Sequence, residues 1–424
     1  MFIPFILLIL ASAAAGVLAY GTHPIWAQFN HGVDFIIWAR RLQWPLIFVS
    51  LSLCLALLEM VVSGKRRAWW LIGLLPILAL FSHRFITGPA RTLRVVEDPP
   101  MVAADQATFL TDDDYVVGVH FADQTYAFPY SVIFNTPTII HNDRDKRMIL
   151  IWSADANCAM AFNVTRELRA ADLEIVSSPA NALLLYNSRL GQFINGITAQ
   201  TMRGEIPSDF REPLPMRKLT WAKWRAENPD SQVMAPMDLT WRTSPNQPIL
   251  PRYSMPRSRS DLMENRLICV VATTQPIAVP SEKLQQTPLN LSAGKSAVLL
   301  FRQSLDGVAC AFDRRIEEDL ACRFSSDIDP KNADVVWSDA DTGTRWSMAG
   351  VAVDGPPETR GKKLTPFPIQ DELYWSVMKF WYPDLRLVGN DELTAAVVVP
   401  SNTIQDNTAS AKKRRRPQRK AIGQ

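Results

Sequence analysis

Residues 2–20, from Phe2 to Tyr20, form an apolar run without a single charged side chain. As a helix, such a run matches the thickness of a bilayer, so it must either lie in a membrane or be removed. A cleaved signal peptide, with Ala-rich residues 11–15 near the cleavage point, is one reading. Against it, no Lys or Arg heads the segment, and two further apolar segments follow at 45–63 and 68–83. The second carries Glu59 near its end. The third is short, contains Pro76, and opens on Trp69 and Trp70, aromatics suited to a membrane–water interface. Residues 1–90 are therefore expected to be a transmembrane helical region with spans at about 2–20, 45–63 and 68–83, in the cell (inner) membrane. Orientation is contested by charge. Lys65-Arg66-Arg67 favours a cytoplasmic loop, leaving the rest of the chain extracytoplasmic, while Arg40-Arg41, Arg84, Arg91 and Arg94 pull the other way.

Beyond residue 90 the chain reads as a soluble region. The net charge is only +3, and Lys412, Lys413, Arg414, Arg415, Arg416, Arg419 and Lys420 concentrate positive charge in the last residues. The folded body thus has no basic excess for a nucleic acid to bind. Residues 401–424 are expected to be a disordered basic tail whose partners are anionic lipid or another anionic envelope component, at about 1 kcal/mol per basic residue. Five cysteines without a Cys-x-x-Cys pair and five scattered histidines supply no clustered zinc ligands, so no cofactor is expected.

The soluble region repeats itself. Pro129 and Pro137 recur as Pro280 and Pro288, both shifted by 151 residues (280 − 129, 288 − 137). Ala161-Phe162 recurs as Ala311-Phe312, and Trp221 with Pro229-Asp230 recurs as Trp375 with Pro383-Asp384. Several offsets agreeing in one order indicate duplication. Each copy is built of short β-branched and aromatic runs broken by turn residues. Residues 115–121 and 267–272 read as opening strands, 148–152 and 297–301 as the next strong ones, and 308–324 as a hairpin. Short helices are expected at 219–227 and 371–381. The predicted fold class is α+β and β-rich: a first repeat at 100–234, a linker at 235–260, a second repeat at 261–400, and the tail at 401–424.

The second copy's closing residues form a spaced pattern: Asp341, Thr342, Gly343, Thr344, Trp346, Gly350, Ala352, Gly355, Leu364, Trp375, Phe380, Pro383 and Asp384. This pattern resembles the bacterial family called domain of unknown function 3179. The first copy matches through Leu110-Thr111-Asp112-Asp113-Asp114, Gly118, Ala127-Phe128-Pro129, Tyr186-Asn187-Ser188, Gly204, Trp221, Trp224 and Pro229-Asp230. Together the matches cover roughly residues 105–390. The family's pattern has Tyr-Cys-Pro-Leu-Cys-Gly where this chain has Trp152-Ser153-Ala154-Asp155-Ala156-Asn157, and often Trp-His before Asn142-Asp143. Both cysteines are absent, which removes the thiolates a metal or redox centre would use.

The candidate residues that remain are weak signals. Trp221, Trp346, Trp375 and Asp341 could line a binding groove, although aromatics equally build a β core. Cys158, His120 and His141 are candidate thiol and metal groups, against the simpler reading of a small buried hydrophobe and two structural hydrogen-bonders. Cys310 and Cys322 flank the predicted hairpin turn as a candidate disulfide. The expected function is a membrane-anchored, non-enzymatic binding or scaffold protein with an extracytoplasmic duplicated domain. The alternatives are a diverged envelope redox or metal-dependent protein, and an accessory subunit of a membrane complex.

Overall fold

The computed structural model describes residues 2–64, 68–88, 92–237, 244–253, 266–273, 275–302, 309–317, 320–327 and 337–398. The predicted tail at 401–424, Lys65-Arg66-Arg67, Arg91 and much of the predicted linker fall outside these described residues.

Among the described residues, three helical segments are long and apolar enough to cross a membrane: Phe2–Tyr20, Gln43–Val62 and Trp69–Ile86. They contain the helices α1 (Phe2–Tyr20), α3 (Gln43–Val62) and α4 (Leu74–Thr87), and a fourth helix, α2 (Gly32–Arg41), lies between α1 and α3. Pro4, Pro45 and Pro76 each occupy the third position of their helix. In a first turn the missing N–H breaks no hydrogen bond, which is how Pro76 is accommodated. Small residues let the helices approach: Ala11 and Ala15 of α1 are buried against Ile77 of α4, and Ser50 Oγ donates to the Ala11 carbonyl at 3.1 Å.

The chain forms two compact units, Met1–Arg266 with Leu373–Pro383, and Leu267–Glu372 with Asp384–Gln424. In the first, strands β3 (Tyr115–Phe121) and β4 (Gln124–Pro129) form a hairpin. Its two-residue turn, Ala122-Asp123, has φ of 51° and 67°, the positive values that match the twist of paired strands. Helix α5 (Tyr130–Ile133) follows. The hairpin sits in a sheet of order β12-β3-β4-β13-β2, with β2 (Met101–Ala103), β12 (Met216–Thr220) and β13 (Gln232–Met234). A second sheet is the meander β5 (Thr138–Asp143), β6 (Lys146–Ser153) and β7 (Cys158–Val164), edged by β1 (Val95–Glu97) and β11 (Phe210–Pro213). A third contains β8 (Leu173–Ser177), β9 (Leu184–Asn187) and β10 (Gln192–Asn195).

Alternation decides how these sheets stack. Val117, Val119, Tyr126 and Phe128 meet Ile139, Met148, Leu150 and Trp152 in one core. The opposite face of the meander, Ile149 and Ile151, meets Leu173, Ile175 and Leu185 of the third sheet. The opposite face of the hairpin, Val116 and Ala127, meets Trp221 and Trp224 of helix α6 (Trp221–Glu227). Each fully buried aliphatic or aromatic side chain contributes about 1.5–3 kcal/mol. Trp224 lies so close to β3 that a Cβ on Gly118 would be 2.2 Å from its ring.

In the second unit, β14 (Leu267–Val271) and β15 (Ile277–Pro280) form the hairpin, in the order β25-β14-β15-β26 with β25 (Ile369–Tyr374) and β26 (Arg386–Leu387). The meander is β16 (Leu289–Ala293), β17 (Ser296–Arg302) and β18 (Ala309–Asp313). A small hairpin, β19 (Arg315–Glu317) with β20 (Leu320–Ala321), precedes the third sheet: β21 (Phe324–Ser326), β22 (Trp337–Asp339), β23 (Arg345–Trp346) and β24 (Ala352–Asp354). Helix α8 (Asn390–Ala395) ends the described fold.

Register establishes the duplication. Ala127 faces Gly118 and pairs in parallel with Val233; Ala278 faces Val270 and pairs in parallel with Leu387. Helix α6 starts where Trp221 N–H donates to the Asp114 carbonyl, and helix α7 (Trp375–Trp381) where Trp375 N–H donates to the Arg266 carbonyl. Two sequence expectations change. Residues 371–374 and 219–220, expected to be helical, belong to β25 and β12. The predicted 308–324 hairpin does not form as one unit: Cys310 pairs with Phe301 of β17, and the local pairing is Arg315 with Ala321 and Glu317 with Leu320.

Candidate functional site

The place where the resemblance puts two cysteines and a glycine holds a 3-10 turn, Ala154–Ala156, closed by Asn157 at φ 48°. Asn is among the few non-glycine residues that tolerate this left-handed conformation, so the backbone turn survives without the thiols. Tyr130 donates its hydroxyl to Asn157 Oδ1 at 2.8 Å, and Lys218 Nζ donates to the Asn157 carbonyl at 2.5 Å. Cys158 is completely buried at the start of β7. Nearby, burial and then the neighbouring Cys158 push the Tyr382 phenol above its ordinary pKa.

The two histidines lie elsewhere. His141 stacks edge-on against Tyr126 at 4.9 Å, with Nδ1 3.6 Å from an Asp98 carboxylate oxygen. Burial lowers its pKa, with Asp98 and Asp143 opposing. Tyr126 donates to Asp143 Oδ2 at 3.0 Å; burial and this bond raise the phenol's pKa. His120 rests edge-on against Trp224 at 5.5 Å, its pKa lowered by burial and then by Arg217. Across β6, Cys158 faces Ser153 and His141 faces Met148. Five residues of strand separate these partners, about 16 Å at strand rise. Cys158 and His141 therefore do not share a site.

Trp221 and Trp224 are core residues under β3, Trp224 Nε1 donating to Ser231 Oγ at 2.8 Å. Trp375 is buried at the start of α7, with Lys379 Nζ 5.9 Å above its ring. Helix α7 belongs to the first unit, where Phe380 and Trp381 pack beside Ala27, Ala180 and Tyr253.

In the second unit, Asp341, Trp346 and Cys322 converge on the buried carboxylate of Asp339. This buried carboxylate accepts from Asp341 N–H at 3.1 Å and Thr342 N–H at 2.6 Å through Oδ1. Its Oδ2 accepts from Thr342 Oγ1 at 2.6 Å and Trp346 Nε1 at 3.2 Å. Asp341 holds Arg323 at 3.0 Å, which keeps its own pKa low. Ligand atoms of Cys322, Asp339 and Asp341 lie within 4.8 Å of one another, close enough to consider a cation. Without an ion the three groups satisfy one another. Burial, followed by the Asp339 and Asp341 charges, pushes the Cys322 thiol up to about 12, so it keeps its proton and donates to Asp339. A metal would have to displace that proton and several hydrogen bonds. The knot holds a turn. Cys322 is a free thiol, so the expected bond to Cys310 is not formed; Cys322 instead lies opposite Arg314, its N–H donating to the Arg314 carbonyl at 3.1 Å.

A concave site lies on the first unit, a cleft of ≈ 740 Å³ at the tips of the β3–β4 and β5–β6 hairpins. Lys146, Arg147 and Arg211 offer positive charge there, Asp123, Asp145 and Glu212 negative charge, and His120 and Leu214 complete its walls. Arg147 is nine-tenths buried and fixed by Glu97 at 2.5 Å and Asn142 at 2.9 Å. Of its lining only His120 stood out in the sequence. The charged hairpin tips carry no signal that separates them from solvated turns.

Comparison with curated proteins and with solved structures gives no match. A family profile described as a protein of unknown function (DUF3179) matches residues 94–385, which span both copies. The chain belongs to that family.

Proposed function

We propose that this chain is a membrane-anchored, non-enzymatic binding protein whose duplicated domain faces the extracytoplasmic side and takes a polar ligand in the hairpin-tip cleft. The observation that carries the placement is the docking of α2. Ile36 and Ile37 pack on Val176, Leu184 and Phe193 of the third sheet. Arg40 binds Glu174 at 2.5 Å, and Ser177 Oγ donates to the Thr22 carbonyl at 2.7 Å. The connection 21–42 and the domain therefore share a side. With three spans this ordering is self-consistent, and it leaves the Lys65-Arg66-Arg67 connection on the other side.

Docking also lessens the charge conflict. Arg40 is committed to Glu174 and the Tyr186 ring, and Arg41 lies over the Phe193 ring at 5.5 Å. With Arg40 held by Glu174, the compact Lys65-Arg66-Arg67 stretch favours the cytoplasm, against Arg84, Arg91 and Arg94. The non-enzymatic reading is supported by Cys158 and the histidines each serving a separate packing or hydrogen-bonding role. Reporter fusions at residue 64 and after residue 398 test the placement. The first should be active only as a cytoplasmic reporter and the second only as an extracytoplasmic one; the reverse pattern would sink it.

A further inference from the structure

We infer that the aromatic side of the 21–42 segment is a lipid-binding collar that seats the first β unit on the membrane surface rather than leaving it on a flexible stalk. The inference rests on α1 and α3 being spans. Tyr20 ends α1 and Gln43 opens α3, so the intervening residues leave and re-enter the bilayer at one surface. The segment stays compact: α2 has ten residues, about 15 Å of helix. It also folds back on α1, since a Cβ at Gly21 would lie 2.6 Å from the Ala39 Cβ. The turn into α2 is equally tight, with a Cβ at Gly32 falling 1.6 Å from the Trp26 carbonyl oxygen.

Helix α2 has two working faces. Ile36, Ile37 and Ala39 point inward, the two isoleucines against the third sheet. Asp34, Trp38 and Arg41, spaced three and four residues apart on one face, are exposed. Beside them runs a chain of aromatics: Trp38 stacks on Phe35 at 5.7 Å, Phe35 meets Trp26 at 4.9 Å, and Trp26 meets Phe29 at 5.9 Å. Phe29 is 62% exposed, Trp38 46%, and Trp44 at the head of α3 63%. An aromatic cluster of this kind, continuous with two spans and edged by one acid and one base, has the composition of a headgroup-layer anchor. Trp supplies an apolar ring and a polar N–H at the depth where both are satisfied.

The test uses the full-length protein in lipid nanodiscs, with a benzophenone amino acid placed in turn at Phe29, at Trp38 and, as a control, at Asp123 on the hairpin tip. Irradiation should give lipid adducts at 29 and 38 and none at 123. Absence of lipid adducts at both collar positions, or crosslinks there to a second protein chain instead, would overturn the inference. The readout is indifferent to which leaflet carries the collar, so it fails or succeeds independently of the reporter-fusion result.

Discussion

The two copies build one turn with opposite electrostatics. In the first, the neutral Asn187 ends β9 and its Oδ1 accepts from the N–H groups of Arg189 and Leu190, both at 3.1 Å. In the second, the carboxylate Asp339 ends β22 and accepts from Asp341 and Thr342 in the same relative positions. The difference lies in the outer half of the side chain. Asn187 Nδ2 donates to the buried Asp209 at 3.0 Å, so its partner carries the charge. Asp339 carries the charge itself, surrounded by the donors of Thr342, Trp346 and Cys322. Backbone geometry has been kept across the duplication while the charge has moved from one residue to another. Helix packing has diverged further: where the first copy pairs Gly118 with Trp224, the same registers in the second hold Val270 and Met378, and α7 groups with the first unit.

Importing the second copy's residue into the first should have the largest effect. Gly118→Val drives a branched side chain into the Trp224 ring, and overpacking of this severity costs about 3 kcal/mol or more. The reciprocal Val270→Gly removes a buried side chain and loosens a strand, at about 2 kcal/mol. Thermal melts of the detergent-solubilised full chain, followed by near-ultraviolet circular dichroism, should rank the two in that order. Equal losses would mean that Trp224 can move aside and that the copies differ less than their registers imply.

Exchanging the turn residues comes next. Asn187→Asp sets a second carboxylate against Asp209, which Arg189 offsets in part, and should cost about 2–3 kcal/mol at neutral pH. The loss should shrink as pH falls and one carboxyl takes a proton. Asp339→Asn points an amide at donors that need an acceptor, at about 2 kcal/mol, with no recovery in acid. If both variants respond alike to acid, the charge has not moved between the copies in the way the hydrogen bonds indicate.

Much of the comparison was legible in the sequence. The prolines at 129 and 280 mark the same hairpin end, opposite Val116 and Ile268, because proline recurs where a strand can spare its N–H. The opening strands, the spans and the duplicated β-rich class follow from periodicity and apolar length. Long-range choices were not legible. The inward face of α2 is only Ile36, Ile37 and Ala39, lost between two stronger apolar runs. That Asp339 is the buried centre of its turn was not legible, because a buried acid at a strand end has the same sequence signature as a solvated one. The Cys310–Cys322 pairing failed because adjacency in a predicted hairpin does not fix which strand is the partner.

Cys322 gives a smaller, pH-gated difference, since the second copy has it where the register of the first has Ala171. Its thiol pKa rises from an ordinary 9.0 to about 12 in the fold. The protonated form is the folded one, so its contribution is complete below pH 9.0 and is lost as pH climbs toward about 12. Wild type should therefore lose stability across that window, and Cys322→Ser, whose hydroxyl does not titrate there, should lose less. Parallel alkaline melts would refute this linkage if the two curves stayed superimposable.

The smallest expected effect isolates the feature that only the first copy has, its docked membrane helix. Glu174→Gln keeps the shape of the Arg40 partner but removes its charge. For a mostly buried, two-pronged pair the loss should be about 1 kcal/mol. That loss should appear locally rather than globally, because α2 can lift from the third sheet without unfolding it. Hydrogen exchange of the Phe35–Arg41 amides should accelerate roughly fivefold, the equivalent of that free energy, while β22 and β23 stay unchanged. Uniform acceleration in both units would mean that α2 unfolds only with the whole domain, making the collar part of the global core. No change at all would leave Ile36 and Ile37 as the whole of the dock, with Arg40 free after all to weigh on the topology.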